Sequence, residues 1–252
     1  MIMKSLEITK FEPLDYACNE ALNTLCSNLT FMGKNVKKIM VTSCSAAEGK
    51  SFLTMNMLRS FAMLGKSAIF VSGDLRRSAV GERFGIRFSL EKYQGITHYL
   101  AGLCEKEEII YKTNIAGAYM IPVGRDVSNS LALLSTPRFS DLLHYLDSMF
   151  DIILVDAPPV GVLIDAAEIS KACDGSVLVV SYNEVRRRDL VEAKRQLELA
   201  GSTVLGVVLN KVSFKSIINK KYYNKSYYTH YYVADQYRAV EKEKDNKIVK
   251  KR

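Results

Sequence analysis

The sequence predicts an α/β fold, a doubly wound and mostly parallel sheet followed by a flexible tyrosine-rich C-terminal tail. Short runs of apolar and β-branched residues alternate with segments of helical periodicity, as expected when each strand is followed by a crossover helix. The strand runs are apolar throughout, which is typical of parallel strands covered by helices on both faces. The chain has 252 residues, 48% of them hydrophobic, enough for one sizeable core.

The predicted elements follow one another in a regular order. Six apolar runs are predicted strands: 37–43, 67–73, 117–124, 151–159, 175–182 and 203–212. Four segments between them have helical periodicity: 50–65, 130–150, 165–174 and 186–201. The stretch 78–116 is less regular, and we expect it to be an insertion over one edge of the sheet. In such a sheet, ligands bind at the carboxyl ends of the strands.

The net charge of +8 lies in the C-terminal tail. Residues 211–252 hold 12 Lys/Arg and 4 Asp/Glu, whereas the first 210 residues hold 23 of each sign. We therefore divide the chain into a domain of 1–214, with an N-terminal helical segment, and a basic tail of 215–252. Such a tail can contact anionic lipid, nucleic acid or an acidic protein face, or serve only as a solubilising appendage.

Half of the tyrosines lie in this tail, in the stretch KKYYNKSYYTHYYVADQY at 220–237. This tyrosine row consists of Tyr222, Tyr223, Tyr227, Tyr228, Tyr231, Tyr232 and Tyr237. It follows the last predicted strand and has no aliphatic periodicity, which argues against a core role.

Cysteine usage and hydropathy indicate the compartment. The five cysteines form no C-x-x-C pair and no His/Cys cluster at metal-ligand spacing, so we expect free thiols in a reducing cytosol. The N-terminus has no apolar signal region, and no run approaches the roughly 18 apolar residues of a membrane span. We expect a cytoplasmic protein.

The segment SCSAAEGKS, at 43–51, lies between a predicted strand and a predicted helix. It ends in Gly49-Lys50-Ser51, as the phosphate-binding pattern G-x-x-x-x-G-K-[ST] requires, although Cys44 replaces the first glycine. Backbone N–H groups at a helix N-terminus attract an anion, a lysine adds charge, and a serine hydroxyl can bind Mg²⁺. The sequence therefore predicts a nucleotide-phosphate loop here.

Two aspartates follow other predicted strands at the same edge of the sheet. Asp74 ends IFVSGD, and Asp156 ends DIILVD, which Ala157 and two prolines follow. Each alone is explained equally well as a turn or cap residue. Beside a phosphate loop, a carboxylate at a strand end can support Mg²⁺ or accept a proton from an attacking hydroxyl. The three motifs together favour a nucleotide site.

These motifs, in this order and with the tyrosine row, resemble the bacterial tyrosine kinases that accompany capsular and exopolysaccharide synthesis. The matching segments, which lie between about residues 15 and 237, are EGKS, GDLRRS and ILVDAPP, supported by GITHYLAG, MIPVG and GVVLNKV. The resemblance implies the P-loop NTPase fold of the MinD/ParA-like type. It also implies an ATP- and Mg²⁺-dependent protein-tyrosine kinase that phosphorylates the tyrosine row of a neighbouring copy and regulates polysaccharide synthesis and export.

The resemblance assigns a role to each site residue. Lys50, Asp74 and Asp156 are the expected catalytic residues. The expected nucleotide-binding residues are Glu48, Gly49, Lys50, Ser51, Phe52 and Asn210, the last at the adenine edge. Ser51, Asp74 and Asp156 are the expected metal ligands, with Asp74 serving the metal or the tyrosine hydroxyl.

The resemblance also implies partners and a location. The expected partners are a membrane adaptor of the polysaccharide copolymerase type, other copies of the chain and a cognate tyrosine phosphatase. The adaptor would recruit the kinase to the inner face of the cell membrane. No nucleic acid is expected.

The chain departs from the family pattern at three places. Ser72 stands where the first aspartate of D-x-D is usual, and Ala47 stands where P-G-E-G-K-S has glycine. If the backbone at position 47 needs a positive φ, alanine is strained there. After Glu20, Asn23 and Cys26 replace the arginines of E-x-x-R-x-x-R, a motif associated with ring assembly.

Three other functions remain open on the sequence. The departures are compatible with a degenerate member that binds nucleotide and acts as a regulator or scaffold. A MinD/ParA-like ATPase would share the fold, but Ser45 occupies the position of its additional loop lysine, and it would lack the tyrosine row. Basic residues interleaved with aromatics in the tail can also stack on single-stranded nucleic acid.

Overall fold

Seven strands form the central sheet of the structure, a computed structural model that describes residues 4–33, 36–76, 79–89, 93–125 and 127–212. The strands of the chain are β1 Leu6–Ile8, β2 Lys38–Ser43, β3 Ala68–Ser72, β4 Ile86–Phe88, β5 Tyr111–Lys112, β6 Ala118–Ile121, β7 Ile152–Asp156, β8 Gly175–Ser181 and β9 Val204–Asn210. The tyrosine row at 222–237 lies outside the described residues, so the boundary at 214/215 stays a prediction.

The sheet has the strand order β5-β6-β3-β7-β2-β8-β9. Every neighbouring pair is parallel except β5 with β6, so the sheet is mostly parallel with one antiparallel edge. All six predicted strands are present, and the predicted fold class is confirmed. The chain crosses from β2 to β3 in one direction and later to β8 in the other, so the carboxyl end of β2 lies at the reversal point where ligands bind in such sheets.

Helices cover both faces of the sheet. Their bounds are α1 Tyr16–Phe31, α2 Lys50–Met63, α3 Val80–Arg83, α4 Ile96–Leu100, α5 Ser130–Leu134, α6 Pro137–Asp147, α7 Asp165–Ser170 and α8 Arg187–Leu199, with a 3₁₀ turn at Lys106–Ile109. Along β2, Ile39 and Val41 pack into the apolar cluster that contains α1 and α2 side chains, whereas Met40 packs into the cluster that contains α6 to α8 side chains. Because both faces are buried, the middle of the strand, Ile39 to Val41, is apolar without alternation.

The prediction of one helix over 130–150 was wrong, because the segment forms α5 and α6. Thr136 is extended, with ψ of 150°, and Pro137 is the first residue of α6. Proline has no N–H to continue α5 and disfavours helical backbone at the residue before it, but it suits the first position of a new helix.

The irregular stretch 78–116, predicted as an insertion over one edge of the sheet, supplies the edge strand itself. Its last strand, β5, pairs antiparallel with β6 and forms the edge. Its first strand, β4, pairs instead with β1 near the N-terminus, in a separate antiparallel sheet of two strands.

Asn23 and Cys26, which stand where the family pattern has arginines, contact α2 within the same subunit. Cys26 of α1 is fully buried in the cluster shared with α2. Asn23 accepts a hydrogen bond from the Ser60 hydroxyl of α2 at 2.8 Å. These two side chains therefore fix α1 against α2.

Candidate active site

The phosphate loop runs from the end of β2 to the start of α2. Gly49 caps α2 in the left-handed conformation with φ of 91°. The loop closes around Glu48, which is 3% exposed and accepts hydrogen bonds from the backbone N–H groups of Cys44 and Ser45. A buried carboxylate inside the loop thus occupies two of its N–H groups, and the first N–H groups of α2 are left for a ligand.

The backbone at position 47 has a positive φ, so the condition under which alanine is strained there is met. Its φ is 62°, in the left-handed region that costs an alanine roughly 1–2 kcal/mol because of its Cβ. Glycine would adopt this backbone without that cost. The loop therefore reaches its shape in spite of a local strain.

The three sequence motifs meet at Lys50. Its Nζ lies 3.0 Å from Oδ2 of Asp74 and 3.9 Å from Oδ1 of Asp156. The side chains of Lys50 and Asp74 are each 13% exposed and that of Asp156 is 3% exposed. The structure therefore brings all three predicted catalytic residues together, and the Lys50 ammonium group pairs with both carboxylates.

Backbone contacts between β3 and β7 fix the two carboxylates. Ser72 and Asp156 are register partners, and the N–H groups of Gly73 and Asp74 both donate to the backbone oxygen of Asp156, at 2.8 and 2.9 Å. A Cβ at Gly73 would lie 3.0 Å from that same oxygen. Glycine at position 73 thus lets the chain turn closely over β7, and this turn directs Asp74 to Lys50.

Burial raises the pKa of Asp156 from an ordinary 3.8 to about 6. Desolvation is the largest cause, and nearby Asp74 adds to it, whereas Lys50 and a hydrogen bond with the Ser51 hydroxyl act in the opposite direction. The net shift indicates that the surrounding groups do not fully compensate the buried charge. A cation that enters with a ligand would complete this compensation.

The oxygen ligands in this region fit Mg²⁺. Ser51, Asp74 and Asp156 present hydroxyl and carboxylate oxygens, which are hard ligands. Asp156 Oδ1 and Ser72 Oγ are buried and have no hydrogen-bond partner among the described residues. Among the residues that the structure describes, no group of three or more His, Cys, Asp or Glu side chains could hold a metal. Mg²⁺ is commonly held by one or two carboxylates together with substrate phosphates.

Asn210 reaches the phosphate loop from the end of β9. Its Nδ2 donates to the backbone oxygen of Glu48 at 2.9 Å, and a Cβ at Gly49 would collide with that same nitrogen. Position 49 thus requires glycine both for its φ and for the Asn210 contact. Phe52 differs from the others, because its ring packs against Phe84 and beneath the Arg83 guanidinium. Only its backbone N–H in the first turn of α2 is placed for a phosphate.

A polar cluster that no sequence motif predicted forms around Asp165. Asp165 is 1% exposed and accepts hydrogen bonds from Arg76 Nε at 2.8 Å and from the Ser130 hydroxyl at 2.7 Å. Arg76 lies two residues after Asp74, and this proximity was the available signal. The buried Asp165 carboxylate therefore holds the Arg76 guanidinium in place.

Among the described helices, none has the length and hydropathy needed to cross a bilayer.

Known proteins similar to this chain include tyrosine kinases. A tyrosine-protein kinase named CpsD, from Streptococcus pneumoniae, is 39% identical over 212 residues, which cover 83% of this chain and 92% of that protein. The chimerical protein CapA2B2 has a similar structure, with a TM-score of 0.73 and 26% identity over 82% of this chain and 92% of the other. The kinase domain of the Escherichia coli tyrosine kinase ETK is also similar, with a TM-score of 0.70 and 25% identity over 77% of each chain.

More distant structural similarity concerns the fold alone. The septum site-determining protein MinD from Pyrococcus horikoshii, solved with Mg-ADP, has a TM-score of 0.59 and 23% identity over 69% of this chain and 70% of that chain. This similarity confirms the predicted P-loop NTPase fold of the MinD/ParA-like type. No protein-family model matches the chain.

Proposed function

Because the chain belongs to the bacterial tyrosine kinase family, we propose that it is an ATP- and Mg²⁺-dependent tyrosine autokinase that regulates capsular polysaccharide synthesis and export. One observation carries the proposal for this chain itself: Lys50 of the phosphate loop lies against Asp74 and Asp156 at three adjoining strand ends. Such a constellation can bind phosphates, support a cation and accept a proton.

Burial separates the roles of the two carboxylates. Asp74 lies at the rim, with 9% of its surface exposed, and can accept the proton of an incoming tyrosine hydroxyl or contact the metal. Asp156 is 2% exposed and out of reach of a protein substrate, so it supports the metal. Mg²⁺, when bound, neutralises charge on the transferring phosphoryl group. Lys50 leaves the carboxylates and contacts the phosphates when nucleotide binds.

The proposed substrate is the tyrosine row at 222–237 of a neighbouring copy. Each phosphotyrosine carries about −1.5 to −2 at neutral pH, so modification of all seven adds roughly −10 to −14. Before modification, the 12 Lys/Arg and 4 Asp/Glu of residues 211–252 give this region a net charge of +8. Autophosphorylation therefore reverses the sign of the tail and releases it from acidic surfaces that held it.

We place the kinase in the cytoplasm at the inner face of the membrane, where a membrane adaptor of the polysaccharide copolymerase type activates it. The unmodified basic tail supports this location, because anionic lipids attract polybasic segments by about 1 kcal/mol per residue. A cognate tyrosine phosphatase resets the tail by restoring its positive charge.

The test is a phosphotyrosine assay of the purified protein with Mg-ATP, with and without the cytoplasmic segment of its membrane adaptor. We expect a signal that Lys50→Ala abolishes, because the loop loses its only lysine. Lys194→Ala is the matched control, since Lys194 lies on α8 in an exposed pair with Glu198. Loss of signal in both variants, or in neither, would contradict the proposed role of the site.

The second candidate function is a nucleotide-binding regulator with little kinase activity. The strained backbone of Ala47 and the neutral Ser72 beside Asp156 favour it. Such a regulator would yield no phosphotyrosine in the wild type or in any variant. It would still bind Mg-ADP, which calorimetry measures.

A further inference from the structure

Two buried oxygens without hydrogen-bond partners lie next to each other at the ends of β3 and β7. Ser72 and Asp156 are register partners on these parallel strands, and each is 2% exposed. Val71 and Val155, the preceding residues, pack into the cluster on the opposite face, so both polar side chains lie on the α2 face. Among the described residues, nothing donates to or accepts from Ser72 Oγ, or donates to Asp156 Oδ1.

A buried hydroxyl without a partner destabilises the folded protein, because water no longer solvates it. The rest of β3, from Ala68 to Val71, is apolar and fully buried. An apolar residue at position 72 would therefore pack without this penalty. A polar residue here points to a ligand that satisfies the hydroxyl when it arrives.

We propose that Ser72 is a metal-positioning residue, whose hydroxyl and the neighbouring Asp156 Oδ1 together receive the hydrated Mg²⁺ that enters with the nucleotide. This inference rests on the proposed function, since it assumes an ATP-dependent enzyme. The chemistry fits, because Mg²⁺ gives up its water reluctantly and its waters need hydrogen-bond acceptors in the protein.

The neutral side chain at position 72 also makes metal binding depend on the nucleotide. Without ligands the pocket holds Lys50 against Asp74 and Asp156, which leaves a formal charge of −1 when both acids are ionised. This is a weak attraction for a free divalent cation beside an ammonium group. Nucleotide phosphates supply the missing negative charge, so metal and nucleotide enter together.

The experiment measures ADP affinity by calorimetry, with excess Mg²⁺ and with EDTA, in the full chain and three variants. The ratio of the two affinities is the metal coupling. We expect Ser72→Ala to lower it about fivefold, the size of one hydrogen bond, without lowering the melting temperature of the metal-free protein. Ser72→Asp should raise the coupling and lower the metal-free melting temperature, because a second carboxylate is then buried beside Asp156.

Ser181→Ala is the matched control. Ser181 is 1% exposed, ends β8, and also has a hydroxyl without a partner among the described residues. Its register partner is Asn210, not a carboxylate. We expect this variant to keep the wild-type coupling.

Equal coupling in wild type and Ser72→Ala, or equal losses in Ser72→Ala and Ser181→Ala, would overturn the inference. The proposed function fails differently, because a wild-type chain that bound no Mg-ADP at all would refute it.

Discussion

Replacing Asp156 by asparagine tests the electrostatic cost of the site. Asparagine has nearly the shape of aspartic acid but carries no charge, so it resembles the protonated residue. Burial raises the pKa of Asp156 from 3.8 to about 6 in the folded protein. At about 1.4 kcal/mol for each pKa unit, ionised Asp156 destabilises the fold by about 3 kcal/mol.

The sign of the effect fixes its pH dependence. The folded state holds the Asp156 proton more tightly than the unfolded state does. The free energy of unfolding therefore falls as pH rises from about 4 to about 6. Asp156→Asn has no such proton. Its free energy of unfolding should be close to that of the wild type near pH 4 and higher by about 3 kcal/mol at pH 8.

Urea unfolding in EDTA at pH 4, 6 and 8 measures this difference, with the slopes of the transitions compared to exclude changes in the unfolded state. A variant less stable than wild type at pH 8, or a difference that does not change with pH, would refute the reasoning. The same variant should lose the metal coupling of ADP binding, since its amide cannot replace the carboxylate.

Two further predictions concern the backbone of the phosphate loop. Ala47→Gly should raise the free energy of unfolding by about 1 kcal/mol, because glycine adopts a φ of 62° without strain; an unchanged or lower value in urea unfolding would show that the loop is not strained. Gly49→Ala should destabilise the protein and weaken ADP binding, because alanine is strained at a φ of 91° and its Cβ would displace the Asn210 amide from the loop. Gly201→Ala is the control for backbone strain, because Gly201 has a φ of 82° and nothing lies within 4 Å of the added Cβ. This variant should keep ADP binding. Equal ADP affinity in the two variants would contradict the role of the Asn210 contact.

The sequence allowed the sheet and the catalytic residues to be predicted because both depend on local patterns. Apolar runs such as 151–159 identify parallel strands, and a polar residue that ends such a run must lie at the carboxyl edge. Lys50, Asp74 and Asp156 could therefore be expected to meet before any distance was known. The break at Pro137 was also readable in principle, but the apolar periodicity on both sides of it favoured one helix.

Contacts between distant residues could not be predicted in the same way. The Asp165 carboxylate lies 89 positions from Arg76, and the Asn210 amide lies 162 positions from the Glu48 oxygen that accepts its hydrogen bond. No periodicity encodes such pairs, since they arise only when the crossover helices have packed. The partnerless state of Ser72 is likewise a property of its surroundings and not of the residue type.

The central claim is that the ATP site of one copy phosphorylates the tyrosine row of another. It is tested most directly by mixing two inactive partners with Mg-ATP: Lys50→Ala, which keeps the row, and a variant with all seven row tyrosines replaced by phenylalanine, which keeps the site. Phosphotyrosine should appear in the mixture, on the Lys50→Ala chain, and in neither partner alone. A mixture without phosphotyrosine, under conditions where the wild type gives a signal, would contradict the claim.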